Sequence, residues 1–447
     1  MKDLTVGNER KLILQFALPM LLGNLFQQSY NIVDSIVVGR FIGKEALAAV
    51  GASFPVIFIL ISLVIGFSMG LTVIISQYYG AKDFKSIKRS IDTLNIVLLI
   101  TSIIITLVSI FFSREIFLLM QLPADVIPQA EEYFTTYMLG SVAFFGFNGV
   151  TAVLRGLGDS KTPLYFLIIS TVLNIILVFL FVVVFGWGVK GAAISTIIAQ
   201  GFSFLLSVFY LNKYHKLVKF SFVNIEFDKK IFIQSLRIGL PSGMQHTFVS
   251  IGMMALYAIV NSFGTNVSAA YAAAMRIDSF ASLPAMNFAM ALSTFVGQNI
   301  GANKIERVKK GLLATFIMTS AIAIFVSIVV VLFGEELMYL FTTDKDVISL
   351  GHDYLIIVCS FYLLFTTMFV IGSVLRGAGD TLVPMFVTLF SLWLVRIPLA
   401  YFLSQHFGVQ GIWWSIPIGW LCGLSFIFLY YLKGNWKNKG VVKYVSE

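Results

Sequence analysis

Residues 154–163 read LRGLGDSKTP, and residues 375–384 read LRGAGDTLVP. The offset is near 221 residues, and it recurs along the chain. SQYYGA at 76–81 returns as GQNIGA at 297–302, each followed by a basic cluster, and GVKG at 188–191 returns as GVQG at 408–411. Pro19 is matched by Pro241, and the pair Ala48–Ala49 by Ala269–Ala270. Five matches at one spacing make the chain two copies of one plan.

The units that repeat are membrane spans. Of 447 residues, 58% are hydrophobic and only 12% charged, about half the charge of a soluble chain. The apolar runs reach 20 residues or more, long enough to cross a bilayer as helices. They lack the alternation over about ten residues that a membrane β-barrel requires. Twelve spans are predicted, near 12–38, 46–76, 91–112, 133–154, 163–185, 189–211, 235–262, 268–297, 311–333, 349–375, 384–405 and 411–432. The expected fold is therefore an all-α integral membrane protein, with twelve transmembrane helices in two six-helix bundles. Six is even, so the bundles are parallel repeats with pseudo-two-fold symmetry along the membrane normal. The predicted division is an N-terminal lobe at 1–211, a cytoplasmic linker at 212–234 and a C-terminal lobe at 235–447.

Charge sets the orientation. Of 31 Lys and Arg residues, 24 fall at the termini and in one set of alternate connections. Only Arg40, Lys44, Arg114, Lys190 and Lys345 fall in the other set, while Arg276 and Arg396 lie within spans. The positive-inside rule then makes both termini cytoplasmic. The net charge of +9 reflects this asymmetry and implies no nucleic-acid partner. The basic linker reads as an anchor to anionic lipid or as a regulatory contact. The opening MKDLTVGNERK precedes a span too long and too polar for a cleavable signal peptide, so a retained first helix is expected. Cys359 and Cys422 stand alone in apolar runs and suggest neither disulfide nor metal site.

Within the spans, Asp34 stands out. It falls near the outer third of the expected first span, where a carboxylate costs about 2.5–3.5 kcal/mol even on the lenient insertion scale, which favours an ion site or proton relay over a buried structural ion pair. Asn24, Gln27, Asn31 and Asp34 are spaced by three, four and three residues, so they share one helical face. Such a stripe faces either a water-filled cavity or hydrogen-bonding neighbours. Asn148 and Thr151 add a second polar pair, with Asn174, Ser195 and Thr196 beyond them. Asp34 with neutral oxygen donors suits a proton or a weakly held Na⁺. The second copy has Ala255 and Leu256 at the matching position and instead carries Arg276 and Asp278. Two residues apart on a helix, those two cannot simply pair; they serve structural ion pairs or a gate. Arg396 reads as structural. Methionines and aromatics, among them Met253 and Tyr257, crowd the second copy and suit either packing or apolar cations. The segment GLGDSKT lacks the spacing of a phosphate loop, and the four histidines show no ligand spacing. Asn266-Val-Ser268 matches a glycosylation sequon, a pattern frequent by chance.

The stretch VDSIVVGRFIGKEALAAVG (33–51), the doubled LRGxGD, GQNIGA and the twelve-span plan resemble the multidrug and toxic compound extrusion (MATE) transporters over the whole length. The resemblance implies an antiporter exporting amphipathic, often cationic compounds against inward H⁺ or Na⁺ flow. It is closest to the DinF-like and bacterial multidrug branches. There the first-helix carboxylate falls on Asp34 and a glutamine on Gln27. A fifth-helix asparagine falls on Asn174, a sixth-helix threonine on Thr196, and the proline at which the first helix bends on Pro19. DinF-like members often add an Asp one turn after the asparagine, where this chain has Val178. NorM-like members place acids in the seventh and tenth helices. This chain has His246 and Val249 in its seventh-helix region and no acid at mid-depth in its tenth, so coupling would fall on Asp34.

The expected protein is a monomeric, multi-pass exporter of the bacterial plasma membrane. It would have small-molecule and lipid partners, and no cofactor beyond a coupling H⁺ or Na⁺, with Na⁺ possible at Asp34. Cation coupling is assigned to Asp34, Asn174 and Thr196. Substrate contact is assigned to Gln27, Asn31, Asn148, Thr151, Met253, Tyr257, Arg276 and Asp278, and the hinge to Pro19. The alternative, a flippase for a lipid-linked oligosaccharide, predicts a strongly basic cavity, for which only Arg276 and Arg396 are candidates. A membrane-embedded enzyme would need a nucleophile, metal or paired-acid constellation, and none is present in the sequence.

Overall fold

A computed structural model describes residues 2–214 and 225–442, so ten residues of the expected linker, 215–224, lie outside the described residues. The first copy comprises α1 (Glu9–Phe41), α2 (Lys44–Gly80), α3 (Phe84–Leu119), α4 (Ile127–Leu139), α5 (Ser141–Gly156), α6 (Lys161–Val178) and α7 (Gly188–Tyr214). The second comprises α8 (Lys229–Asn261), α9 (Thr265–Gly301), α10 (Ile305–Tyr339), α11 (Lys345–Ser360), α12 (Tyr362–Gly377), α13 (Leu382–Leu389), α14 (Ile397–Phe407) and α15 (Val409–Lys433). Among the described residues nine spans are long and apolar enough to cross a membrane, and two bent helix pairs bring the total to eleven. The 33-residue α1 is the twelfth; its polar stripe keeps it below the same apolar standard.

The doubled LRGxGD is a turn with three parts. Gly156 and Gly377 let neighbouring helices approach, since a Cβ there would sit 2.9 Å from Ile75 and 2.4 Å from the Ser293 carbonyl. Gly158 and Gly379 take positive φ, 80° and 91°, which only glycine adopts freely. The aspartate then braces a neighbouring helix in each copy. Asp159 accepts from the Lys161 and Thr162 amides, each at 3.1 Å, and so caps α6. Asp380 accepts from the Tyr430 hydroxyl of α15 at 2.6 Å.

Two expected spans are broken. Residues 133–154 form not one helix but α4 and α5, bent by 50°, and residues 349–375 form α11 and α12, bent by 49°. Neither break contains proline, and the same tertiary device holds both. Thr106 donates to the Met138 carbonyl at 2.8 Å, beside Gly140. Ser327, the counterpart of Thr106, donates to the Cys359 carbonyl at 2.5 Å, beside Phe361. A hydroxyl from the preceding helix thus satisfies a carbonyl that the bend releases. Two further spans include π-helical stretches, Phe179–Val184 after α6 and Phe390–Arg396 between α13 and α14. Such stretches re-aim side chains and favour functional sites.

By packing, the described chain divides into two compact units. Unit 1 holds Leu18–Gly243 and the chain start, and unit 2 holds Asp3–Ala17 with Met244 onward. The borders lie inside helices rather than in the connection between copies. In unit 1, the start of α8 is held to α2 by glycines. A Cβ on Gly66 would lie 2.4 Å from the Gly243 nitrogen, and one on Gly70 would lie 2.7 Å from the Gly239 nitrogen. In unit 2, the N-terminal segment is strapped to α9 and α10. Leu4, 1% exposed, donates its amide to Gln298 at 2.9 Å, and Arg307 donates to the Gly7 carbonyl at 2.9 Å. Arg307 also pairs with Glu9 at 3.0 Å.

Candidate functional site

Asp34 lies in the C-terminal half of α1, half-buried, within unit 1. Its Oδ1 is fully buried and has no hydrogen-bond partner. Three phenols lie within electrostatic reach: Tyr30 one turn earlier, and Tyr133 and Tyr137 from α4. The two α4 rings are 6.0 Å apart. The sequence reading missed all three. Tyr133 and Tyr137 stand one turn apart beside an acidic connection, and aromatics there read as interfacial anchors.

Asn174 and Thr196 form the neighbouring polar contact. The Asn174 amide donates to the Thr196 hydroxyl at 3.2 Å, and the Asn174 Oδ1 is buried with no partner. Both side chains are buried. One turn further, Val178 packs with Val37 and Val38 in a valine layer completed by Val182 and Val189. The polar turns of α1 and α6 therefore adjoin one shared apolar layer, and the carboxylate expected from the resemblance is replaced by packing.

The stripe on α1 divides. Asn24 and Gln27 line a cavity, partly open to its surroundings, with Asn148, Thr151, Arg155 and Gln200. Asp34, Asn174 and Thr196 are not among its lining residues, nor is Asn31, whose carbonyl accepts from Ser35 at 2.9 Å. Asn148 spends one amide proton on the Phe144 carbonyl at 2.8 Å. Pro19 lies inside the continuous α1 and at the cavity wall. It stands next to the border between the units at Ala17 and Leu18.

Met253, Tyr257, Arg276 and Asp278 all belong to unit 2. Asp278 does not pair with Arg276. It accepts a hydrogen bond from the Tyr362 hydroxyl, at the start of α12 just past the break. Arg396, delivered by the π-helical stretch, lies within electrostatic reach of Asp278 and 4.0 Å from the Met253 sulfur. Arg276 is within reach of Tyr257. Around them stands an aromatic stack in which Tyr271 meets Trp413 at 5.5 Å and Tyr257 at 4.9 Å. Among the described residues no group of three or more His, Cys, Asp or Glu is placed to hold a metal ion.

Comparison with known proteins agrees with this architecture. The sequence profile of the MatE family matches residues 19–180 and 241–402, one match in each copy. The probable multidrug resistance protein YpnP of Bacillus subtilis is 35% identical over 97% of both chains. The multidrug export protein MepA of Staphylococcus aureus is 24% identical, covering 94% of this chain and 93% of its own. Among solved structures, an outward-facing multidrug resistance MATE transporter superposes with a TM-score of 0.91 at 26% identity, covering 97% and 98% of the two chains. A MATE crystal structure in the bent conformation gives 0.91 over 96% of each chain, again at 26% identity. With a family profile on both copies and a full-length relative above 30% identity, the chain belongs to the MatE family of membrane transporters, which are not enzymes.

Proposed function

We propose that this transporter is an antiporter that exports amphipathic, often cationic compounds and couples their exit to inward H⁺ or Na⁺ through Asp34. The observation that carries the reading is the buried, unpartnered Asp34 oxygen, ringed by Tyr30, Tyr133 and Tyr137. An uncompensated carboxylate in a span is costly, and an arriving cation removes that cost. Asn174 and Thr196 supply neutral oxygens close by. The cavity lined by Gln27, Asn148 and Thr151 takes the substrate, and α1 rearranges about Pro19 as the carboxylate gains and loses its ion. Asn31 joins the two regions on the same helical face. In unit 2, Met253, Tyr257, Arg276 and Asp278 form a second polar and aromatic surface for the substrate. The copies serve as the moving lobes, with both termini cytoplasmic in a bacterial plasma membrane and the protein acting as a monomer.

Dye efflux in everted vesicles, under separately imposed pH and Na⁺ gradients, tests this. Wild type should move dye under one of the two, while Asp34→Asn folds, inserts and moves none. Retained efflux in Asp34→Asn removes the carboxylate from the mechanism. A flippase for a lipid-linked pyrophosphate is disfavoured, because Arg155 is the single charged residue lining the unit 1 cavity.

A further inference from the structure

Arg155 is set unlike a surface basic residue. It occupies the last turn of α5, and its Nε is buried with no hydrogen-bond partner. Among the described residues it enters no ion pair, and no acidic residue lines the cavity it faces. Gln200 faces the same space, 6% exposed, and its Oε1 is likewise buried without a partner. The carboxyl-terminal end of a helix favours a cation, yet it offsets only a fraction of what desolvating a guanidinium costs. The second copy repeats the placement of the arginine but not of the glutamine, since no glutamine stands at the position matching Gln200. Arg376, in the last turn of α12, is the one charged residue lining a pocket with Gln245 and Thr388.

A guanidinium offers a planar fork of donors that matches a carboxylate or phosphate. The remaining wall of the unit 1 cavity is apolar, with Phe144, Phe147, Leu164 and Leu167. We propose that this cavity is an oxyanion site: Arg155 binds the carboxylate or phosphate of an amphiphile whose apolar part lies on those four side chains. The inference rests on the reading of the cavity as a binding site for amphiphiles. It adds that the ligands taken there carry a negative group, as a zwitterionic substrate or an acidic lipid does.

The test is equilibrium binding to the purified full-length protein in dodecyl maltoside, by isothermal titration with octyl phosphate and with octyltrimethylammonium as the cationic control. Arg155→Gln should weaken octyl phosphate roughly 10- to 100-fold, the loss expected for a charge-assisted contact, and leave the control unchanged. Unchanged octyl phosphate affinity overturns the proposal. Should that variant fail to fold, Gln200→Leu is read instead. A loss of roughly threefold to tenfold supports the site, and no loss overturns it. Two arms then separate the sources. A phospholipid held by the wild type in native mass spectrometry and lost from Arg155→Gln assigns a headgroup phosphate. Loss of rhodamine 110 efflux, with its methyl ester rhodamine 123 still exported, assigns a substrate carboxylate. If neither occurs, the amphiphile assignment falls. A wild type that exports neither dye counts against the exporter reading alone and leaves the titration to decide the site.

Discussion

Replacing Gly66 by alanine places one methyl group between two backbones. Its Cβ would stand 2.4 Å from the Gly243 nitrogen, 2.5 Å from the Gly243 Cα and 2.6 Å from the Gly239 carbonyl. Ordinary contact begins near 3.4 Å, so α2 and α8 must part by about 1 Å. No flexible side chain is available to yield, which puts the penalty toward the top of the range for overpacking, about 2–3 kcal/mol. Alanine regains about 1 kcal/mol of helix propensity, leaving a net loss of about 1–2 kcal/mol. Gly51, on the same helix, is the control, since a Cβ there meets nothing within 4 Å. Gly51→Ala should therefore gain up to about 1 kcal/mol. Equilibrium unfolding in mixed SDS and dodecyl maltoside micelles, followed by tryptophan fluorescence, should separate the two variants by about 2–3 kcal/mol. A double change of Gly66 and Gly239 should cost less than the sum, because one displacement accommodates both methyls. Equal stability of Gly66→Ala and Gly51→Ala would refute the argument that direct backbone contact joins these helices.

Single contacts elsewhere can be tested in the same way. Arg307→Ala removes two anchors of the N-terminal strap, and trypsin cleavage near Arg10 and Lys11 should quicken severalfold; an unchanged rate would mean that the contacts at Leu4 and Thr5 suffice to hold the segment. Tyr362→Phe strips Asp278 of its hydroxyl donor and should lower stability by about 1.5–3 kcal/mol, the worth of a hydrogen bond to a charged group, as read by the same unfolding assay. Thr106→Val frees the Met138 carbonyl at the α4–α5 bend and should cost about 1 kcal/mol. Ser327→Ala should match it at the other bend, and a neutral result at either would deny the hydroxyl its role there.

The repeat, the spans and the polar stripe were legible in the sequence because each is a pattern along the chain. The doubled LRGxGD even carries its own geometry, a close approach, a left-handed turn and a cap. What escaped was set by contacts between distant segments. The bends at Gly140 and Phe361 have no proline to announce them and depend on hydroxyls some 32–34 residues away in sequence. The nearness of Tyr133 and Tyr137 to Asp34 is likewise a matter of α4 meeting α1, which the spacing along neither helix shows. Arg155 counted only toward the charge asymmetry, since nothing in its neighbours shows that the guanidinium faces a polar cavity. The strap was equally hidden, because Leu4 stands in a short, mostly polar tail with no periodic pattern.

The swapped beginnings of α1 and α8 bear on how the protein is made. Residues 3–17 are synthesised well before the groups that receive them, on Gln298 and Arg307, which lie almost three hundred residues later in the chain. Unit 1 likewise cannot be completed until Gly239 and Gly243 have emerged. Neither half is finished when its own six spans are in the bilayer. A chain cut between the copies would yield two fragments that each lack an opening segment and hold the other's. Completion of either unit is thereby tied to synthesis of segments from both copies.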